Sequence, residues 1–145
     1  MPVYHIAEMK EERPDLNPAM MTKTVVGEFM KAGIVTKPEG EGPSLHMHPN
    51  EEQFTLILEG KLHMILGDED VIVGRGDLVY IPRFTQHRSR AVGGTAVFFT
   101  VKYPAGSRDF NGTIHFTLGS VFRFLLKPEI EFKIIKPGDR WFYPL

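Results

Sequence analysis

The sequence contains no cysteine among its 145 residues. Disulfide bonds, thiolate metal ligands and a cysteine nucleophile are therefore excluded. Any metal ion held by this chain would have to use imidazole nitrogens and oxygen donors. A chain of this length buries roughly two thirds of the surface that its unfolded form exposes, so a single domain over residues 1–145 needs no covalent cross-link.

The sequence also lacks an excess of charge of either sign, since it contains 17 Lys and Arg residues and 18 Asp and Glu residues. This balance gives no reason to expect binding to nucleic acid or to an anionic membrane. No apolar run approaches the ~20 residues of a membrane span. The first ten residues lack the basic stretch and apolar segment of a secretory signal. We therefore expect a cytoplasmic protein whose partner is a small molecule.

Long helical patterns are missing as well, and short β-type runs take their place. From Thr24 to Tyr103, β-branched and apolar runs alternate with Gly, Pro and Asp turn residues, which predicts an all-β antiparallel sandwich or barrel. Three prolines among residues 1–23 predict an irregular N-terminal arm. Residues 113–145 predict a C-terminal extension of further strands, or a segment that extends the sheet of a neighbouring subunit. Its aromatic end, Trp141 to Leu145, would cap the barrel or pack in a dimer interface.

Three histidines and one amide are candidate metal ligands. His46 and His48 are one residue apart, so on a β-strand both side chains point to the same face. Gln53 begins the next apolar run, and His87 follows a second segment bounded by glycine and proline. Three imidazoles and an amide oxygen would hold one ion and leave room for water or substrate.

The first group of these residues resembles a motif of the cupins, small β-barrels of jelly-roll topology. In that motif five residues separate a glycine from His-x-His, three or four residues separate His-x-His from a glutamate, and six residues separate the glutamate from a second glycine. His46, His48 and Gly60 fit this spacing, with Gln53 in the place of the glutamate and the leading glycine nearer, at Gly42. The resemblance implies that the histidines bind a metal ion.

The second cupin motif is matched by Gly76, Pro82 and His87 at the expected spacing. Phe84 stands where this motif has a second glycine, and Ala91 where it has an asparagine. The matched part covers residues 42–103. It implies an RmlC-like jelly-roll barrel, to which this chain adds its N-terminal arm and C-terminal strands. The fold is shared by proteins of many functions, so the resemblance indicates the fold more specifically than the activity.

The fourth ligand has two candidates. Gln53 stands at the four-residue spacing after His48, whereas Glu52 fits the shorter three-residue variant of the motif. Adjacent strand residues face opposite sides, so only one of the two can point inward. We favour Gln53 because its distance to Gly60 is the one the motif requires, and keep Glu52 as the alternative.

Other side chains are weaker candidates. His63, Lys102 and Arg108 are candidate catalytic groups: His63 could point into the barrel, Lys102 occupies the strand where a catalytic acid or base would lie, and Arg108 could clamp an anion. Barrel mouths are lined mainly by apolar groups. We therefore expect four residues to line the pocket, namely Phe54, Met64, Tyr80 and Phe98.

The ligand set His-His-Gln-His resembles that of cupins that open the ring of unsaturated uronates and of the zinc polyketide cyclases. Neither chemistry changes the oxidation state of the metal. The resemblance implies one divalent ion (Zn, Ni, Mn or Fe), a homodimer, and an isomerase, lyase or cyclase that uses the ion as a Lewis acid on a small oxygen-rich substrate. Two alternatives stay open: an Fe(II) dioxygenase that cleaves a diketone or aromatic compound, and a non-enzymatic module that binds a metabolite or a metal.

Overall fold

The computed structural model describes residues 2–15 and 17–104, together with the backbone of residues 114–115. A short 3-10 helix, Ile6–Glu8, precedes ten strands. The strands are β1 (Met21–Val26), β2 (Lys31–Lys37), β3 (His46–Met47), β4 (Glu52–Glu59), β5 (Lys61–Leu66), β6 (Glu69–Gly74), β7 (Leu78–Ile81), β8 (His87–Ala91), β9 (Ala96–Tyr103) and β10 (Ile114–His115).

The strands form two five-stranded sheets. One has the order β1-β2-β9-β4-β7 and the other the order β10-β3-β8-β5-β6. Every pair of neighbouring strands is antiparallel. Strands that are distant in sequence lie side by side, as β2 and β9 do in one sheet and β3 and β8 do in the other. This architecture confirms the prediction of an all-β, antiparallel fold.

The inner face of each sheet follows the two-residue period of its strands. In β5, Leu62 and Met64 are buried, and in β7, Val79 and Ile81 are buried, whereas the residues between them are more exposed. The apolar core lies between the sheets and consists of these four residues with Val35, Ile57, Ala91, Ala96 and Phe98. The same alternation therefore decides which polar side chains enter the barrel.

The arm before the barrel is shorter than predicted. β1 begins at Met21, and Glu12 already forms an isolated β-bridge with Thr22. A turn lies between Val26 and Lys31, where the backbone N–H of Gly27 donates to the carbonyl of Met30. Beyond β10, the predicted C-terminal strands and the aromatic end lie outside the described residues. In the described ranges, no helix has the length and apolarity that a bilayer crossing requires.

Two positions of the cupin-like motifs have an unusual backbone environment. A Cβ atom at Gly42 would lie 1.9 Å from the carbonyl oxygen of Ser89 in β8, so the chain passes too close to β8 for any side chain. Phe84, which replaces a motif glycine, has a φ of 60°, and its N–H donates to the carbonyl of His48. The backbone thus keeps a left-handed conformation there although its residue is not glycine.

Replacing Gly42 with alanine should destabilise the fold by about 2 kcal/mol, because the new methyl group overlaps backbone that cannot move without disturbing β8. Chemical denaturation measures this loss. The matched control is Gly74→Ala, since a Cβ at Gly74 meets only ordinary contacts at 3.8 Å or more. Equal stability of the two variants would mean that the close approach at Gly42 is not rigid.

Candidate metal centre

Three histidines converge at one end of the barrel interior. His46 and His48 come from β3 and the turn that follows it, and His87 begins β8, where it is the register partner of His46. The nitrogen atoms that these residues offer lie within 4.8 Å of one another, and all three side chains are buried. Their ring centroids are 4.3 to 5.0 Å apart. Such a cluster can place three nitrogens around a single ion.

The hydrogen bonds of His46 and His87 determine which ring nitrogen each presents. Nδ1–H of His46 donates to the carbonyl of Ser44 at 2.8 Å, and Nδ1–H of His87 donates to the carbonyl of Thr85 at 2.9 Å. A carbonyl can only accept, so the neutral rings keep Nε2 as their electron-pair donor. Burial lowers the pKa of His87, which favours the unprotonated ring that a metal ion needs. These two histidines therefore fit a metal site.

His48 has a charged environment. Its Nδ1 lies 3.1 Å from Oε1 of Glu51, and Nζ of Lys102 donates to its Nε2 at 3.2 Å. The same Glu51 oxygen pairs with Lys102 at 2.5 Å. Burial lowers the pKa of Lys102, and the neighbouring Glu51 partly opposes that shift. A carboxylate on Nδ1 is a common support for a metal-binding histidine, whereas an ion at Nε2 would replace the contact with Lys102.

Gln53 and Glu52 lie on opposite faces of β4. Gln53 lines the same cavity as the three histidines, and its Nε2 donates to Oγ1 of Thr55 at 2.8 Å, which leaves its Oε1 as the donor for a metal. Glu52 instead accepts a hydrogen bond from the hydroxyl of Tyr80 at 2.8 Å, and this bond raises the pKa of Tyr80. The geometry thus favours Gln53 as the fourth ligand.

Alanine substitutions at these two neighbours should have different effects. Gln53→Ala should weaken the binding of a divalent ion by roughly tenfold, because it removes one oxygen donor, while Glu52→Ala should leave the affinity unchanged. Competition against a chromogenic chelator measures both affinities. If Gln53→Ala keeps full metal occupancy and Glu52→Ala loses it, the ligand is Glu52.

A cavity of about 450 Å³ opens from the histidines into the barrel. Met64 and Phe98, both expected in the pocket, line it. Phe54 and Tyr80 were expected there too, but they lie on the outer face of their sheet, 45% and 47% exposed and stacked on each other at 4.8 Å. The reason is the register of β4: Thr55 points inward, so Phe54 points outward.

The three weaker catalytic candidates have different outcomes. Lys102 lines the cavity beside His48. His63 does not line it; its Nε2 donates to Oδ1 of Asp70 in the neighbouring strand β6, because the inward positions of β5 belong to Leu62 and Met64. Arg108 lies outside the described residues.

Lys37 and Ser89 are among the polar residues of the cavity that the sequence interpretation missed. Lys37 and Ser89 both line it, and Nζ of Lys37 donates to Oγ of Ser89 at 2.6 Å. Lys37 stands directly before a proline and so resembles the start of a loop. The signal that could have identified it is its position two residues after Val35, on the inward face of β2.

Comparison with known proteins agrees with this architecture. Residues 33–102 match the family model described as cupin domain. An uncharacterized protein of Methanocaldococcus jannaschii is 34% identical over 73 residues, which are 50% of this chain and 58% of that protein. The chain thus spans less than two thirds of the length of this curated relative.

Solved structures share the fold at low sequence identity. The polyketide cyclase RemF from Streptomyces resistomycificus superposes with a TM-score of 0.69 and 19% identity, over 88% of this chain and 94% of the cyclase. KdgF from Halomonas sp. superposes with a TM-score of 0.68 and 18% identity, over 76% of this chain and 99% of that protein. Both confirm the predicted jelly-roll fold. Residues 33–102 are thus similar to a cupin domain in sequence, and the solved structures have the same fold as this chain.

Proposed function

We propose that this protein is a metal-dependent enzyme of the isomerase, lyase or cyclase type, acting on a small oxygen-rich substrate. The observation that carries the proposal is the convergence of His46, His48 and His87 in the lining of one cavity. Gln53 completes a set of four neutral donors in the same lining. A catalytic metal site needs such an incomplete shell of protein ligands, with positions left for substrate.

The choice of donors suits chemistry without a change in oxidation state. When bound, a divalent ion supplies Lewis acidity towards a carbonyl, hydroxyl or enol oxygen of the substrate. Three imidazoles and an amide carry no negative charge, so they leave the full charge of the ion available for that role. A carboxylate ligand would instead neutralise part of that charge and weaken the Lewis acidity of the ion.

The chain's own residues would orient and protect the substrate. Carbonyl groups of Ser44 and Thr85 hold the rings of His46 and His87 in fixed orientations. The apolar side chains of the cavity exclude water and strengthen electrostatic contacts with the substrate. These side chains are Val35, Leu62, Met64, Ile81 and Phe98. The Lys102–Glu51 pair beside His48 provides an ammonium group that can stabilise negative charge on substrate oxygen.

A polyketide cyclase shares the fold of this chain. Cyclisation through an enol requires a polarised carbonyl and an apolar pocket, and the four-donor set with its cavity offers both. The identity of 19% carries the fold alone, so the support for the reaction comes from the site.

Solvent exchange tests the proposal most directly. The protein is loaded separately with Zn²⁺, Ni²⁺, Mn²⁺ or Fe²⁺ and incubated in deuterated water with a panel of uronates and enolisable ketones. We expect at least one ion to promote deuterium exchange or product formation, detected by NMR, and the His46→Ala variant to lack it. Oxygen consumption with Fe²⁺ alone would instead identify a dioxygenase. Ligand binding without turnover for any ion would identify a binding module.

A further inference from the structure

Lys37 lies deep in the cavity, although none of the steps proposed above uses it. Its side chain is only 2% exposed. The ammonium nitrogen donates to the carbonyl oxygen of Ser89 at 3.2 Å and to its hydroxyl at 2.6 Å, and lies 5.1 Å from the centre of the Phe98 ring. Ser89 follows His87 by two residues on the same face of β8. The amine thus belongs to the same cavity as the histidine cluster.

This buried amine has no acidic partner in the described part of the chain. No Asp or Glu side chain lines the cavity there, and Lys37 forms no salt bridge with any described residue. Glu51, the acid beside the histidines, is already paired with Lys102 and His48. Burial lowers the pKa of Lys37 to about 7. A buried cation without a counter-ion is costly, and a ligand can supply the missing negative charge.

We propose that the cavity binds small carboxylates, with the carboxylate group paired to the Lys37 ammonium and the reacting oxygen of the ligand at the histidine cluster. The position of the reacting oxygen rests on the function proposed above, whereas the pairing with Lys37 does not. Lys37 then determines specificity: it selects anionic over neutral substrates of the same shape. Ser89 is its positioning residue, since both hydrogen bonds of the amine go to it.

Proton uptake should accompany binding. Above neutral pH the amine of the ligand-free protein is largely unprotonated, and a bound carboxylate favours its charged form. The other ionisable groups of the cavity are the three histidines on the side of β3 and β8 and Lys102 on β9, while Glu39 after β2 is exposed. All of these groups remain in a variant that lacks only Lys37, so comparison with that variant isolates the proton that Lys37 takes up.

Calorimetric titration with pyruvate and its neutral amide, pyruvamide, tests the inference. The titrations use metal-free and metal-loaded protein at about pH 8, one unit above the lowered pKa, in buffers that differ in ionisation enthalpy. We expect the wild type to bind pyruvate at least about tenfold more tightly than pyruvamide, with proton uptake. Lys37→Met should lose both the preference and the proton uptake. Lys61→Met, which removes an exposed lysine of β5, should keep them.

Three results would overturn the inference: equal binding of pyruvate and pyruvamide, an unchanged preference in Lys37→Met, or no binding of pyruvate at millimolar concentration by folded protein. Circular dichroism and metal content of each sample separate these results from misfolding and from failure of the metal site. A preference that depends on Lys37 in metal-free protein supports the inference even if no metal-dependent reaction is found. If a metal ion binds but Lys37→Met has no effect on the preference for pyruvate, the inference about Lys37 is refuted and the proposed function is not.

Discussion

Replacing His87 with alanine should weaken the binding of a divalent ion by at least about a hundredfold. His87 is 4% exposed and is held by the Thr85 carbonyl with Nε2 as its electron-pair donor. No described Asp or Glu joins the cluster, so the variant keeps only two of its three imidazoles. The affinity is measured by isothermal titration with Zn²⁺ or by competition with a chelator. Catalysis that depends on the ion should be lost in parallel.

His63→Ala is the matched control for this experiment. It removes an imidazole from the same sheet, but one that bonds to Asp70 and does not line the cavity. We expect its metal affinity to equal that of the wild type. Comparable losses in both variants would mean that the ion binds elsewhere, and an unchanged affinity in His87→Ala would exclude the three-histidine site.

The second large effect concerns stability and pH. Relative to a Lys37→Met variant, the wild type should gain about 2 kcal/mol in free energy of unfolding between about pH 7 and about pH 9. The folded-state pKa of Lys37 is about 7, against 10.5 for an ordinary lysine. Between these values the unfolded chain binds more protons, so stability rises with pH. Below neutral pH Lys37 is charged in both states, so the cost of burying its charge lowers the free energy of unfolding in full.

Urea denaturation of metal-free protein at several pH values measures this difference. Comparison with Lys37→Met cancels the contributions of the histidines and of Lys102, which both proteins share. Lys61→Met, an exposed site on β5, should show no such divergence from the wild type. A gap between wild type and Lys37→Met that does not change with pH would mean that Lys37 keeps an ordinary pKa in the folded protein.

Much of the fold and of the histidine cluster follows from local rules. Gly- and Asp-bounded apolar runs predict short strands, and two-residue alternation places His46 and His48 together. The spacing of the second motif brings in His87, which the structure pairs with His46 across β3 and β8. The strands and the two motifs that carry the histidines each depend on a few residues that are close in sequence, so they can be predicted from the sequence.

The rest of the cavity depends on contacts between distant strands. Lys37 enters the cavity because the end of β2 lies against Ser89 of β8, 52 residues further along the chain. Lys102 is held in the cavity lining because Glu51 and His48 accept its hydrogen bonds. Phe54 and Tyr80 were expected inside on hydrophobicity alone, yet strand register places them outside. Neither the register nor the pairing of distant strands is encoded in short motifs.

Elemental analysis of protein purified without added metal or a chelating affinity tag tests the central claim most directly. The wild type is compared with His48→Ala, which removes the candidate ligand whose Nδ1 lies beside Glu51. We expect one divalent ion per wild-type chain and its loss from the variant. Zinc, nickel or manganese would support Lewis-acid chemistry, and iron would call for an oxygen electrode. No metal in the wild type, even after incubation with these ions, or equal metal in both proteins would mean that the histidine cluster is not a metal site.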